Sequence, residues 1–290
     1  MSDGASGSGP RRPATARPRQ EAEAEATMAP PTPAELDAIE RQQAALLMQM
    51  GADVVEDPDF GLTWVRFSGR TPALSFAKCI RWAEAERDTR LAALEERMRS
   101  DGEWPAISIA DGVTQPDSLL PAMKERGWIK VGGERIMFTR HAPTVPHLDP
   151  GLRIEAVTPA SAIECARLEA ANFGLPEDEI GERAERLALA LSSGAARGYL
   201  VRLLREPVAG ARLVPEARIA ALTGIGVVAR QRRRGYGRLV TAVATRAGLA
   251  TGHALVWLSV DEANTPAVEL YRSLGYQPSF TWSRWAAPVR

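Results

Sequence analysis

The residues best suited to chemistry form one short run, RQRRRGYGRL, from Arg230 to Leu239. Four of its first five residues are arginine, and Gly235-Tyr236-Gly237 follows them. Guanidinium groups offer charge and forked hydrogen bonds to phosphate oxygens. Glycine removes the Cβ that would keep an anion off the main chain. The run lies between an apolar stretch, Ile219 to Val228, and an amphipathic stretch that begins near Tyr236 or Gly237. A strand–loop–helix junction there presents unpaired N–H groups at a helix N-terminus, which is an anion site. The combination suits a polyphosphate. No Gly-Lys-Ser/Thr follows, so the run is not a P-loop. Val240 stands where a dinucleotide fingerprint needs its third small residue, so that match fails too. On these residues alone, a solvated basic turn and a nucleic-acid patch stay open.

The elements that position this run alternate in type. LTGIGV reads as the end of a strand, and GRLVTAVATRAGLAT as a helix with Leu239, Val240, Val243, Ala247 and Ala250 on one side. ALVWLSV is a strand, TPAVELYRSLG a helix and SFTWSRWA a final strand. Upstream, LRIEAV is a strand, and two helices, PASAIECARLEAANF and EDEIGERAERLALALSS, flank Gly174-Leu175-Pro176. GYLVRLL and VAGARLV read as a hairpin. In the first half, PAELDAIERQQAALLMQMG is a helix, LTWVRF a strand, and Phe76 to Arg99 mainly helix. WPAISIA, SLLPAMKERGW and RIMFTR then read as strand, helix and strand. The interleaving predicts an α/β (α+β) fold.

Composition narrows the function. The 290 residues carry 36 Lys plus Arg and 36 Asp plus Glu, a formal net charge of zero. A nucleic-acid binder is normally basic, so that class is disfavoured. No apolar run approaches the roughly 20 residues that a bilayer requires. Two distant cysteines, Cys79 and Cys165, and three scattered histidines predict neither a disulfide framework nor a metal site. Residues 1–33 are rich in Gly, Ser, Pro, Ala and charge and read as a disordered tail without a secretory core. The cytoplasm is the default location. HAPTVPHLDPG, with three prolines, marks a boundary. The expected division is a tail at 1–33, a domain at 34–141, a linker at 142–151 and a second domain at 152–290.

Arg232-Arg233-Arg234-Gly235-Tyr236-Gly237 has the form Gln/Arg-x-x-Gly-x-Gly/Ala. With LTGIGV before it and LSVDEANTPAVELYRSLGY after it, the second half resembles the GNAT superfamily of acyl-CoA-dependent N-acyltransferases. The resemblance covers roughly Leu152 to the C-terminus. It implies a mixed sheet flanked by helices and acetyl-CoA as acyl donor. It further implies main-chain contacts to the donor's pantetheine arm from Ile225, Gly226 and Val227, and a pyrophosphate wrapped by the loop, Arg233 to Arg238. Asn264 matches a donor-contacting asparagine; a helix cap before Thr265-Pro266 is its other reading. Tyr271 matches the family's general acid, a phenol able to protonate the departing thiolate, although it could merely pack. Ala267, Leu270 and Leu274 read as the buried stripe of its helix, with Tyr271 off it. Ser259 stands where related enzymes carry a glutamate base. Asp261, two residues on and on the same strand face, is the substitute; Glu169 and Glu177 are weaker ones and read as solvated.

The first half repeats the pattern more faintly. Aligning Gly127-Trp128 on Gly275-Tyr276 sets Met123 opposite Tyr271 and Pro116 opposite Asn264. Nothing before Trp104 resembles the arginine–glycine loop. The expectation is a tandem of a degenerate and an intact GNAT-like module, an architecture also seen in mycothiol synthases. The intact module would transfer acetyl from acetyl-CoA to a primary amine on a small molecule or a protein N-terminus, with no nucleic-acid or membrane partner and no metal. A fragment starting near Pro146 would keep binding the donor if it stays soluble, and one ending near His141 would bind none. The reading from another class is a non-catalytic acyl-CoA-binding sensor or interaction module, favoured by the missing strand glutamate and disfavoured by Tyr271.

Overall fold

A computed structural model of the chain describes residues 28–67, 75–147 and 150–289. Most of the expected tail, residues 1–27, lies outside them. Residues 28–32 differ from expectation: Met28 is buried in a core cluster with Ile39 and Trp257. Helix α1 (Pro33–Gln49) starts there in a capping box. The Thr32 hydroxyl accepts from Glu35 N at 3.3 Å, and the Glu35 carboxylate accepts from Thr32 N at 2.8 Å.

The first half continues as β1 (Asp53–Asp57), β2 (Leu62–Arg66), β3 (Phe76–Lys78), α2 (Arg87–Ser100), β4 (Ala106–Ala110), α3 (Leu119–Glu125) and β5 (Ile129–Thr139). The helix expected over Phe76–Arg99 is thus a short strand, a turn and then a helix. The charged run that suggested one helix begins only after Phe76, Ala77 and Lys78, all buried, have paired with β2. The second half runs β6 (Leu152–Val157), α4 (Ala162–Phe173), α5 (Ile180–Ser192), β7 (Arg197–Leu203), β8 (Glu206–Glu216), β9 (Ile219–Val227), α6 (Tyr236–Ala250), β10 (Leu255–Asp261), α7 (Thr265–Ser273) and β11 (Gln277–Ala286).

All eleven strands form one sheet, ordered β1-β2-β3-β4-β11-β5-β10-β9-β8-β7-β6. The repeat seen in sequence is a repeat of topology: β4–α3–β5 follows the same course as β10–α7–β11. The final strands are exchanged between the halves. β5 pairs antiparallel with β10, Ser259 opposite Ile136 and Asp261 opposite Glu134. β11 pairs antiparallel with β4, Ser283 opposite Ile109. The two exchanged strands also pair with each other, Trp282 opposite Glu134. Packing follows the exchange. Met137 of β5 sits in the second half's core with Leu258 and Tyr276. Ala287, just past β11, sits in the first half's core with Trp128 and Met123.

Helix α1 also crosses the boundary. Gln42 donates to Val214 O at 2.8 Å and accepts from Trp257 Nε1 at 2.7 Å, both in the second half. The buried Lys78 donates to Glu40 O and to Gln43 beneath the same helix. Arg140 clamps its first turn, with Nη2 2.8 Å from Glu35.

A fragment beginning at Pro150 lacks β5 and α1. The edge of β10 and the apolar positions around Met137 are then open, which favours aggregation. The pairing therefore argues against the solubility on which the fragment's expected donor binding depends. Residues 150–290 alone should aggregate, and should become soluble when co-expressed with residues 28–147. Size-exclusion chromatography and thermal melts check this; a monomeric, cooperatively melting fragment contradicts it. A second expectation concerns acid. The Arg140 hydrogen bond, helped by those from Thr32, holds the Glu35 carboxyl at about 2 against an ordinary 4.5. A lowered value means stability that is full above about 4.5 and lost as pH falls towards about 2. Glu35→Gln should cost about 1–2 kcal/mol at pH 7 after allowance for screening. Melts from pH 7 to 2 should show the gap between variant and parent closing below about 4.5.

Candidate active site

The site is built around a place where two strands part. β9 and β10 are paired in parallel at Ile219–Ala221 with Leu255–Trp257 and no further. β9 nevertheless runs on to Val227 and β10 to Asp261. Its cause lies partly in β9. The β8–β9 register slips between Gly210 and Arg212, so Ala211 faces both Gly224 and Ile225. Gly224 has φ +63°, which suits glycine. A Cβ there would also fall on Glu169 Oε1 of α4, and one at Gly226 would lie 2.7 Å from Asn172 Nδ2. The glycines thus serve a bulge and a close approach together, and the group that approaches is α4.

Asn172 holds the end of β9. Its Oδ1 accepts from Val227 N and from Arg232 Nη2, each at 3.2 Å. Val228 N donates to Val208 O on the β8 side, so by alternation Val227 and Ile225 face the open side. The Val227 amide on that side is therefore engaged by Asn172. No sequence signal singled out Asn172; its contact with Arg232 spans sixty residues.

Helix α6 begins at the mouth of the opening. Gly235 is its N-cap, with φ +83° and no capping side chain, and Arg233 before it has φ +61°. The first-turn amides of Tyr236, Gly237 and Arg238 have no acceptor one turn back. The arginines divide by role. Arg232 folds back, Nε donating to Val227 O at 3.2 Å. Arg238 binds Ser273 at the end of α7, Nη1 to Oγ at 2.7 Å. Arg230, Arg233 and Arg234 are exposed, with no side-chain partner among the described residues. Tyr236 is buried in the core. Gly237 packs inward: a Cβ would lie 3.3 Å from Val227 Cγ2 and 3.5 Å from Leu270 Cδ1.

On α7, Asn264 is the N-cap, its Oδ1 accepting from Ala267 N at 3.3 Å, and its side is exposed. The buried stripe of the helix is Val268, Tyr271 and Leu274, while Ala267 and Leu270 are half-buried. This corrects the expected stripe: Tyr271 is on it, because α7 turns that face onto Tyr276, ring centroids 6.0 Å apart. Burial pushes the Tyr271 phenol up to about 12. Burial also raises the thiols, Cys79 to about 11 and Cys165 to about 12, which makes neither a thiolate at neutral pH.

The two sides of β10 differ. Val256, Leu258 and Val260 join Tyr271 in one core. Trp257, Ser259 and Asp261 line a groove of about 590 Å³ on the opposite side. Thr223 of β9, Glu134 of β5, Trp282 and Arg284 of β11, Gln43 and Leu46 of α1, and Met50 just past its end also line it. Asp261 is exposed there, and its Oδ1 accepts from Ala263 N at 2.7 Å. Glu169 is not solvated as expected. It is buried against Arg212, Nε to Oε1 2.7 Å, and burial raises its pKa while the Arg212 charge opposes. Glu177 is exposed on a short helical turn.

Residues 164–276 match the model of the acetyltransferase (GNAT) family. This segment is a GNAT domain. Its bounds take in α4, the parted strands, the arginine–glycine loop and Tyr271. No curated protein sequence matches the chain. Among solved structures it is similar to a GCN5-related N-acetyltransferase from Kribbella flavida, with TM-score 0.64 and 20% identity, covering 88% of this chain and 96% of that one. It is similar to another from Sphaerobacter thermophilus, with TM-score 0.63 and 18% identity over 90% and 96%. A tandem GNAT protein from the clavulanic acid biosynthesis pathway gives TM-score 0.61 and 15% identity over 79% of each chain. These likenesses are of fold, and they extend beyond the GNAT domain into the first half.

Among the described residues the first half shows no matching opening. Where the chain leaves β3, Ile80 O accepts from Gln115 N and Trp82 N donates to Gln115 O, closing the space beside β4. Glu84, Glu86 and Asp88 stand at the start of α2, the reverse of the charge before α6. Met123 is fully buried.

The GNAT domain's glycines should separate by substitution. Gly235→Ala meets open space and should cost only its backbone strain, about 1–2 kcal/mol. Gly224→Ala adds collision with Glu169 and should cost clearly more, roughly 3 kcal/mol or above. Urea unfolding of both variants checks the order.

Proposed function

We propose that the GNAT domain transfers an acetyl group from acetyl-CoA to a primary amine. The observation that carries this reading is the parting of β9 and β10. It opens next to an uncapped helix N-terminus and also meets the groove on the other side of β10. The fit to the donor is supported by the left-handed Gly235, the free first-turn amides and the unpaired Arg233 and Arg234. These would bind the pyrophosphate. Ile225 and Val227, which face the open side, would pair with the pantetheine arm, Val227 by exchanging Asn172 for it; Gly226 between them is turned to β8, and Asn264 would contact the same arm from the start of α7. Arg232 and Arg238 would act by holding the loop to β9 and α7.

Acetyl-CoA supplies an acetyl group activated as a thioester. The acceptor enters through the groove and reacts as the free amine. Its nitrogen attacks the thioester carbon, the C–S bond breaks, and the sulfur leaves with the electron pair. Tyr271, on the far side of β10, donates its phenolic proton to that sulfur. At about 12 its pKa keeps the proton in place throughout neutral pH. Asp261, on the groove side, accepts the proton shed by the amine, directly or through water. Donor and acceptor thus form a ternary complex, with acid and base on opposite sides of one strand. One donor binds per chain, since the first half closes its opening and puts acid where phosphate would sit.

Calorimetry of the whole chain with acetyl-CoA should give a stoichiometry of one. Arg233→Ala with Arg234→Ala should weaken binding about tenfold or more and flatten its salt dependence. Tyr271→Phe should leave that affinity unchanged and lower turnover by roughly 10²–10⁴ on any good amine, followed by thiol release. Absence of acetyl-CoA binding by the folded chain would remove the assignment, and full turnover by the phenylalanine variant would remove the acid.

A further inference from the structure

Three charged side chains line the groove among the described residues: Asp261, Glu134 and Arg284. They come from three neighbouring strands, and the register fixes their order. Asp261 stands opposite Glu134, Glu134 stands opposite Trp282, and Arg284 is two residues further along β11. Glu134 and Arg284 are therefore diagonal neighbours, about 7–8 Å apart at the backbone. They carry opposite charge and yet form no ion pair. Among the described residues Arg284 has no carboxylate within 4.0 Å and no hydrogen-bond acceptor. Its guanidinium instead lies 4.1 Å from the centre of the Phe76 ring. Burial lowers the Arg284 pKa from its ordinary value while the Glu134 charge opposes; a guanidinium stays charged at neutral pH regardless.

A half-buried guanidinium that faces a groove without a protein acceptor offers its donors to water or to an oxyanion, and a carboxylate makes the stronger, forked pair. The surroundings say what the rest of such a ligand is. Phe76 lies against the guanidinium, Trp104 and Trp282 add aromatic surface to the same groove, and Leu46 of α1 and Met50 just past its end close it. The acidic pair lies at the end where β9 and β10 part, beside Ser259 and Thr223. The volume of about 590 Å³ is within the range of small-molecule sites.

We infer that the acceptor is a small amine that also bears a carboxylate, joined by an apolar or aromatic body. Its ammonium is drawn to Asp261 and Glu134 at the parted strands, and its carboxylate makes a forked pair with Arg284. Amino acids and dipeptides with a large apolar side chain are the fitting class. A polyamine or other multiply basic acceptor is disfavoured, because Arg284 repels a second cation. This deepens the acetyl-transfer reading and rests on it only for the fate of the amine, not for its binding.

The test uses two matched pairs: L-phenylalanine against phenethylamine, and glycyl-L-phenylalanine against its C-terminal amide. Each is titrated calorimetrically into the whole chain saturated with CoA. In at least one pair the carboxylate should improve affinity tenfold or more. Arg284→Gln should abolish that gain, Arg284→Lys should restore part of it, and affinity for the carboxylate-free partner should stay within about twofold, which shows that the variant is folded. No gain from the carboxylate in either pair, or a gain that survives Arg284→Gln, overturns the inference. Carboxylate-dependent binding without acetylation by bound acetyl-CoA leaves this site standing and overturns the transfer reaction instead.

Discussion

Main-chain pairing between β9 and β10 stops at Ala221 and Trp257, while both strands continue for several residues. Peptide groups along such a gap cannot be buried without partners, since each orphan costs about 1–3 kcal/mol. The gap must then be filled by a ligand, by side chains or by water. Much of the surrounding structure can be understood as keeping it open. Gly224 permits the bulge that turns β9 away, and Gly226 lets α4 lie close enough for Asn172 to hold Val227. Arg232 ties the following loop to the same strand end, so the start of α6 is fixed beside the opening. Arg238 then ties α6 to α7, the helix that carries Tyr271. The arginine–glycine loop and the Tyr271 phenol are thus held to one another through short, named contacts.

An opening in a sheet is a weakness unless the outer strand is held from its other side. β10 is held there by β5, a strand from the first half of the chain, and β11 returns the exchange by completing the edge of β4. The first half is therefore part of the site's construction, although it has no opening of its own. It supplies the strand that keeps β10 in place, Glu134 at the groove and, through α1, the groove's cover. Contacts this far apart in sequence are slow to form. They make the chain fold as one body in which the parted strands cannot simply collapse together.

Much of the second half could be read from sequence because its signals are local. An arginine–glycine loop between an apolar strand and an amphipathic helix is legible wherever it occurs, and Asn264 before Thr-Pro announces a helix cap. What could not be read was set by distance. The strand exchange leaves each strand's own pattern untouched, so nothing in RIMFTR says which β-strand it will pair with. The buried stripe of α7 is ambiguous in sequence because Val268-Tyr271-Leu274 and Ala267-Leu270-Leu274 both fit a helical period. Only the position of Tyr276 decides between them. Glu169 reads as a surface carboxylate until Gly224 is known to lie directly beneath it. Arg284 looks like a routine outward residue of a last strand, and its lack of a partner is visible only once β5 lies beside it.

The contrast between the halves shows how few changes separate an open strand junction from a closed one. Both halves have a strand, a helix and a swapped final strand in the same course. In the first, Gln115 pairs with the chain leaving β3, and the main-chain groups that a ligand would use are spent on the protein itself. At the start of the following helix, Glu84, Glu86 and Asp88 already complement the positive end of its dipole. In the second, neither is done. The strand edge stays open, the helix start is capped by a bare glycine, and the arginines nearest it have no acid to meet. These donors and charges face water, gathered within one turn of helix. A bound polyphosphate would bring complementary oxygens and charge to all of them at once, where the matching junction of the first half, among the described residues, offers such a ligand neither free strand amides nor free cations.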